Sequence, residues 1–178
     1  RIWMEFQKIL NGENVAQVIE KMAHDGVLDM FLPGQWASQH LRLESLYHPY
    51  TSHFDGLTRL ALLLCESFSI DVENALIELK LPKKDRMYIQ NLHSRFGTLP
   101  EPKVSNLRVF RSVLQEQAVQ HLELEIVIRT HELSPSMGTY DGDVSYVESL
   151  LDMLQRMPPL KAGNASLIDG HWLMLVTI

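Results

Sequence analysis

Asp55-Gly-Leu-Thr-Arg59-Leu-Ala-Leu-Leu-Leu-Cys65 is the stretch on which the fold turns. Ser52 or Asp55 supplies an N-cap, and the residues that follow are apolar on almost every side out to about Phe68. A helix of that kind has no solvent face and must sit at the centre of the molecule. The run Leu60 to Cys65 is far shorter than the ~18 to 20 apolar residues of a membrane helix, so its place is a protein core.

Outward from this centre the apolar spacing stays helical. On one side, Ile2, Phe6, Ile9 and Leu10 share a face of a first helix. Val15, Val18, Ile19 and Met22 follow on a second, capped by Asn14 and ended at His24-Asp25-Gly26. Val27 to Leu32 is a short turn closed by Pro33-Gly34. On the other side, Asp71 is read as the cap for Val72, Ala75, Leu76 and Leu79. Pro82 takes the first position of a helix running to about Phe96, where Gly97 ends it. Thr98 to Lys103 is a loop, and two long helices, Val104–Gln117 and Ala118–Glu132, come next. Ser134 to Gly142 is a second loop. Asp143 caps a helix through Leu154 that Pro158-Pro159 breaks. Leu124, Ile126, Val127 and Ile128 have some strand propensity but lie inside a helical pattern, and no hairpin alternation occurs. The expectation is an all-α, irregular array of about eight to ten helices with no catalytic sheet domain.

Composition narrows the class. The 178 residues are 46% hydrophobic and 21% charged, with nine Gly and eight Pro, which excludes a disordered or low-complexity chain. The single cysteine, Cys65, excludes an internal disulfide and a thiolate zinc site and suggests a reducing, cytoplasmic setting. Arg1 is not Met and no signal-peptide pattern follows, so the chain reads as part of something longer.

Self-sufficient chemistry is absent from the sequence. There is no Gly-x-Ser-x-Gly elbow, phosphate-binding Gly-x-x-x-x-Gly-Lys-Ser loop or dinucleotide fingerprint. His53 to Asp55 is a His-x-Asp spacing, not the adjacent pair of the HD phosphohydrolases. His48 and His53 are five apart, too far for one helical face. His121 and His131 share no carboxylate at i+3 or i+4 from both, and Asp141-Gly142-Asp143 is explained as a helix cap. We therefore expect neither catalytic residues nor a metal site.

Charge is more telling. The net −6 argues against a nucleic-acid partner only as an average. Lys80 to Arg111 holds eight basic and two acidic side chains, a net +6, while the rest of the chain carries −12. Lys80, Lys83, Lys84, Arg86, Arg108 and Arg111 are the candidate phosphate contacts. Tyr88, Phe96 and Phe110 lie near them as candidate stacking rings, although Phe96 and Phe110 have the spacing of core residues.

Three stretches resemble the C-terminal part of class II tRNA nucleotidyltransferases and bacterial poly(A) polymerases. Arg1-Ile-Trp-Met-Glu5-Phe6-Gln-Lys8-Ile9-Leu10, followed by Asn11-Gly12, looks like the motif that opens the family's neck helices. Met22-Ala-His-Asp-Gly26-Val-Leu28 through Leu32-Pro33 is similar to its short helix, Gly-x-Leu and Leu-Pro. Ser166-Leu-Ile168-Asp-Gly170-His-Trp-Leu173-Met174 resembles its tail element, with His171-Trp172 replacing a polar residue and Asp. Arg59-Leu60-Ala61-Leu62-Leu63 and Leu79-Lys80-Leu81-Pro82 fit the same rhythm. The resemblance implies neck-like helices over 1–33, a helical body over 34–132 and a partial tail over 133–178. It implies tRNA or other RNA 3′ ends as partners. It also implies an N-terminal head domain, absent from this sequence, that would hold Mg2+ and select CTP or ATP. Without that head the chain alone is expected to be inactive. In the neck motif Arg1 and Glu5 are four apart and are expected to pair, for about 0.3 to 0.5 kcal/mol, leaving Lys8 free for a phosphate or the head. The alternatives are a helical protein-interaction module with no RNA role and, weakest, a self-contained metal hydrolase using the histidines.

Overall fold

The computed structural model describes residues 1–135 and 143–158. Among them the fold is all-α, with nine α-helices: α1 (Ile2–Leu10), α2 (Val15–His24), α3 (His40–Ser45), α4 (Gly56–Leu63), α5 (Ser69–Glu78), α6 (Lys83–Arg95), α7 (Val104–Leu114), α8 (Gln117–Thr130) and α9 (Val144–Arg156). Short 3-10 turns at Leu28–Met30, Trp36–Ser38 and Pro49–His53 fill the span between α2 and α4. The Ser166–Met174 element and the loop residues 136–142 lie outside the described residues.

α4 is the central helix. Asp55 caps it by accepting the Thr58 N–H (2.8 Å), and every residue from Leu60 to Cys65 is buried. α1 and α3 pack on one side of it and α6 on another, with α5 behind α6. α4 ends at Leu63, earlier than Phe68. The buried Arg42 of α3 takes the Leu63 carbonyl (2.9 Å) and pairs with Glu66 (3.3 Å), while its guanidinium stacks on Trp36 (4.2 Å). Those contacts turn the chain away, and Phe68 is left exposed at the start of α5. α5 accordingly begins two residues before Asp71, which lies in its first turn rather than capping it.

Arg59 is the main polar fixture of this centre. It is 6% exposed. Its guanidinium donates to the carbonyls of Leu10 (2.6 Å) and Gly12 (3.2 Å) beyond α1, and to Thr51 (3.0 Å) and Ser52 (3.3 Å) in the 49–53 turn. Nearby, Asn11 accepts the Gly56 N–H at 2.7 Å, so closely that a Cβ at Gly56 would stand 2.8 Å from the same oxygen.

Two apolar cores result. The larger gathers side chains of α1 to α6 with Leu124, Val127 and Ile128 of α8. The second joins Leu107 and Leu114 of α7, Ala118, Leu122 and Ile126 of α8, and Val147, Leu150, Leu151 and Leu154 of α9. α8 is thus buried around most of its circumference, which is why its sequence shows no polar face.

Other expectations shift by a residue or two. In α1 the buried face is Trp3, Phe6 and Leu10, and Ile2 is exposed; in α2 Ala16 and Ala23 are buried and Val18 is not. Asn14 sits at the cap position of α2 without a side-chain hydrogen bond, and Pro82 precedes α6 instead of opening it. α7 stops at Leu114 because Gln115 turns into the left-handed region (φ 50°). α2, α5 and α8 end in the same closure, with N–H bonds from Val27 to Met22, Leu81 to Leu76 and Leu133 to Ile128. The left-handed residue is Gly26 in the first, but Lys80 (φ 59°) and Glu132 (φ 54°) in the others.

Arg59→Met is expected to lower stability by about 3 kcal/mol in urea unfolding, because several buried carbonyls lose their donor at once. Arg59→Lys is expected to recover little, since an ammonium cannot reproduce the fork.

Candidate nucleic-acid interface

The basic residues singled out in the sequence fall into two groups. Lys80 closes α5, and Lys83, Lys84 and Arg86 follow within the first turns of α6. Arg108 and Arg111 project from α7, whose packing partners are α8 and α9. None of the six takes part in an ion pair among the described residues. Lys80, Lys83, Lys84 and Arg108 are exposed, Arg86 half-buried, and Arg111 has a buried Nε with no hydrogen-bond partner among the described residues.

The N-terminal cations differ. Lys8 pairs with Glu5 (3.4 Å), displacing the expected Arg1–Glu5 contact, because Glu5 and Lys8 are three apart on the exposed side of α1. Lys21 is held by Asp25 (2.8 Å), whose carboxyl pKa this hydrogen bond lowers. The same contact occupies the carboxylate of His24-Asp25, an adjacent His-Asp pair at the end of α2.

Of the candidate stacking rings, Phe96 is fully buried and Phe110 packs partly into the second core. Tyr88 is half-buried and lies beside Lys83, Lys84, Met87, Asn91 and Gln117 in an open groove. Its hydroxyl donates to Gln120 (2.6 Å) and meets the Thr58 hydroxyl (2.8 Å), so the ring is held by α4 and α8. Burial raises its pKa. Gln117 belongs to α8 and had no basic neighbour in sequence to mark it.

Four of the histidines have evident structural partners. The His48 Nδ1 accepts the Tyr50 N–H (3.1 Å), and His131 meets the His48 ring (5.8 Å between centroids). His53 contacts Glu123 at 2.5 Å. His121 is fully buried between Phe96 and Phe110, with Nε2 3.4 Å from the Thr98 carbonyl. Next to it Glu125 accepts the Gly97 N–H (2.7 Å) and pairs with Arg129; burial nevertheless raises its carboxyl pKa. Among the described residues no three His, Cys, Asp or Glu side chains converge as a metal site. No helix among them is long and apolar enough to cross a membrane. Cys65 is fully buried, which pushes its thiol pKa up and away from nucleophilic use.

The described residues therefore form an all-α scaffold whose cations along α6 and α7 have no ion-pair partner among them. Residues 1–39 match the family model described as "Probable RNA and SrmB- binding site of polymerase A". This match supports a poly(A)-polymerase-like RNA-binding region at the start of the chain. No curated protein and no solved structure matches.

Burial holds the His121 pKa down at about 4, with Arg95 and Arg129 adding to the effect. The unfolded chain takes up this proton near the ordinary value of about 6.5. Acidification from about pH 6.5 to pH 4 therefore favours unfolding, by up to about 3 kcal/mol from this residue. The raised pKa of Glu125 acts in the opposite sense, so the comparison must isolate His121. In chemical denaturation across that window, His121→Gln is expected to lose stability on acidification less steeply than the wild type.

Proposed function

We propose that this chain is the RNA-gripping helical part of a nucleotidyltransferase that adds CCA to tRNA or adenylate residues to RNA 3′ ends. The family match over residues 1–39 carries the reading, and the unpaired basic residues supply its physical means. A phosphate backbone is bound by cations that give up counterions rather than internal partners, and Lys80, Lys83, Lys84, Arg86 and Arg108 meet that condition. Arg111, partly withdrawn, contributes less. Lys8 and Lys21 are paired with Glu5 and Asp25 on exposed helix faces, so a phosphate at the matched segment would exchange with those carboxylates. In the neck motif, Glu5 and Lys8 lie on the exposed side of α1 and Arg1 at its N-cap, while the helix's apolar face seats the segment against α4.

Nucleotide transfer belongs to the head domain that the resemblance places upstream. Mg2+ and CTP or ATP would be bound there, and no carboxylate cluster among the described residues of this chain suits them. The contribution of this chain is to hold the RNA while its 3′ end reaches that head. On this reading the work is done at a reducing, cytoplasmic site of RNA maturation.

A second reading, a protein-docking module, is favoured by one observation. The matched family's description names a protein, SrmB, beside RNA. In this chain an open groove between α2 and α3 is lined by Glu20, Glu44, His24, His40 and Tyr47, together with Lys21, which is paired with Asp25. Its carboxylates suit a protein partner better than RNA.

Charge reversal of Lys83, Lys84 and Arg86 to Glu is expected to weaken RNA binding and to reduce the slope of log K against log salt by about 2 to 3. A filter-binding salt titration measures both; an unchanged slope would show that these residues do not meet phosphates.

A further inference from the structure

α6 presents a stripe beside its buried face that is exposed at Lys84 and Asn91 and half-buried at Tyr88 and Arg95. Ile89, Leu92, His93 and Phe96 face inward. Lys84, Tyr88, Asn91 and Arg95 recur at i, i+4, i+7 and i+11 on a neighbouring face, which spans about 16 Å at 1.5 Å per residue. An open groove lies at each end of that stripe. The first, of about 460 Å3, is lined by Lys83, Lys84, Asp85, Tyr88, Asn91 and Gln117 among others. The second, of about 450 Å3, is lined by Arg95, Glu101, Asn106, Val109 and Phe110 over the Thr98 turn. Both combine the same three elements: a cation, an aromatic ring and a side-chain amide.

The geometry points to α6 as the track of a single RNA strand, with phosphates at Lys83, Lys84 and Arg95 and a base seated on Tyr88 beside the Asn91 and Gln117 amides. This inference rests on the RNA reading above and adds to it which form of RNA is held and where. A duplex turns its base faces inward and offers an aromatic floor nothing to stack on, whereas an unpaired strand offers both a ring and an edge with donors and acceptors. Two grooves of one composition on one helical stripe suit a polymer better than a lone nucleotide. The pinned Tyr88 hydroxyl keeps its ring from moving, so little side-chain freedom is lost on stacking. Carboxylates occur at both ends and limit the affinity. Asp85 is in the first turn of α6, and Glu101 is drawn toward Lys103 (3.5 Å) and Asn106 (3.3 Å).

The test is fluorescence anisotropy of the full chain with labelled single-stranded A, C and U homopolymers and with a duplex of equal length. The single strands are expected to bind at least about tenfold more tightly than the duplex. Tyr88→Leu should weaken single-strand binding roughly tenfold and leave duplex binding unchanged, while Tyr88→Phe retains the affinity. Asn91→Ala, at an exposed position, should narrow the differences among homopolymers without altering the salt slope. Lys84→Gln with Arg95→Gln should lower that slope for the single strands. Thermal melting of each variant separates lost binding from lost folding, and the exposed Asn91 keeps the question open to measurement if Tyr88→Leu unfolds. Duplex binding equal to single-strand binding, or Tyr88 and Asn91 variants indistinguishable from wild type, would overturn the track. If the lysine variants still reduce the salt slope, the RNA reading survives that outcome. No binding to any RNA overturns both. Displacement of RNA by micromolar AMP or CMP would assign the groove to a free nucleotide and overturn the strand track.

Discussion

A single buried guanidinium holds the arrangement on which the rest is built. Arg59 forms no salt bridge among the described residues; its hydrogen-bond acceptors are backbone carbonyls at the end of α1 and in the 49–53 turn. Such carbonyls carry the negative end of the helix dipole, so they both need donors and favour a cation. Arg59 answers both needs from the middle of α4. Asn11 and Asp55 then close the start of α4. Since α6 packs on α4, the direction in which α6 shows its outer stripe follows from this junction.

How far the sequence disclosed this depends on the kind of signal. Long helices with a clear apolar face were readable, because burial dictates one residue type at a fixed spacing. Caps written in side chains, Asp55 and Asp143, were readable for the same reason. Residues 34–51 were not. α3 is six residues long and turns an arginine inward, so neither length nor polarity announces it. The closures at Lys80 and Glu132 were also hidden, since neither residue is the glycine that a left-handed position favours. For the basic face, counting charges located the stretch but could not tell a free cation from a paired one. That distinction rests on geometry, as does the separation of Tyr88 from the buried Phe96. Gln117 was invisible from sequence because it reaches the α6 groove from a different helix.

The separation of charge also takes on a physical shape. Lys8, Lys21 and Arg42 are each engaged by a carboxylate, whereas Lys80, Lys83, Lys84 and Arg86 have no such partner among the described residues. An acidic surround repels a polyanion from every direction except the basic one, which turns a weakly attractive surface into an orienting one. The negative total is thus compatible with, and useful to, an RNA-holding role.

α8 carries a last implication. Leu124, Val127 and Ile128 complete one core while Ala118, Leu122 and Ile126 complete the other. Neither core keeps its wall if the other melts, because the same two-sided rod would then show an oily flank to water. The described helices are therefore built to be lost or kept together, and a partly opened intermediate would be short-lived. For a molecule that must grasp and release a strand, that cooperativity confines adjustment to side chains and loops while the helical frame behaves as one piece.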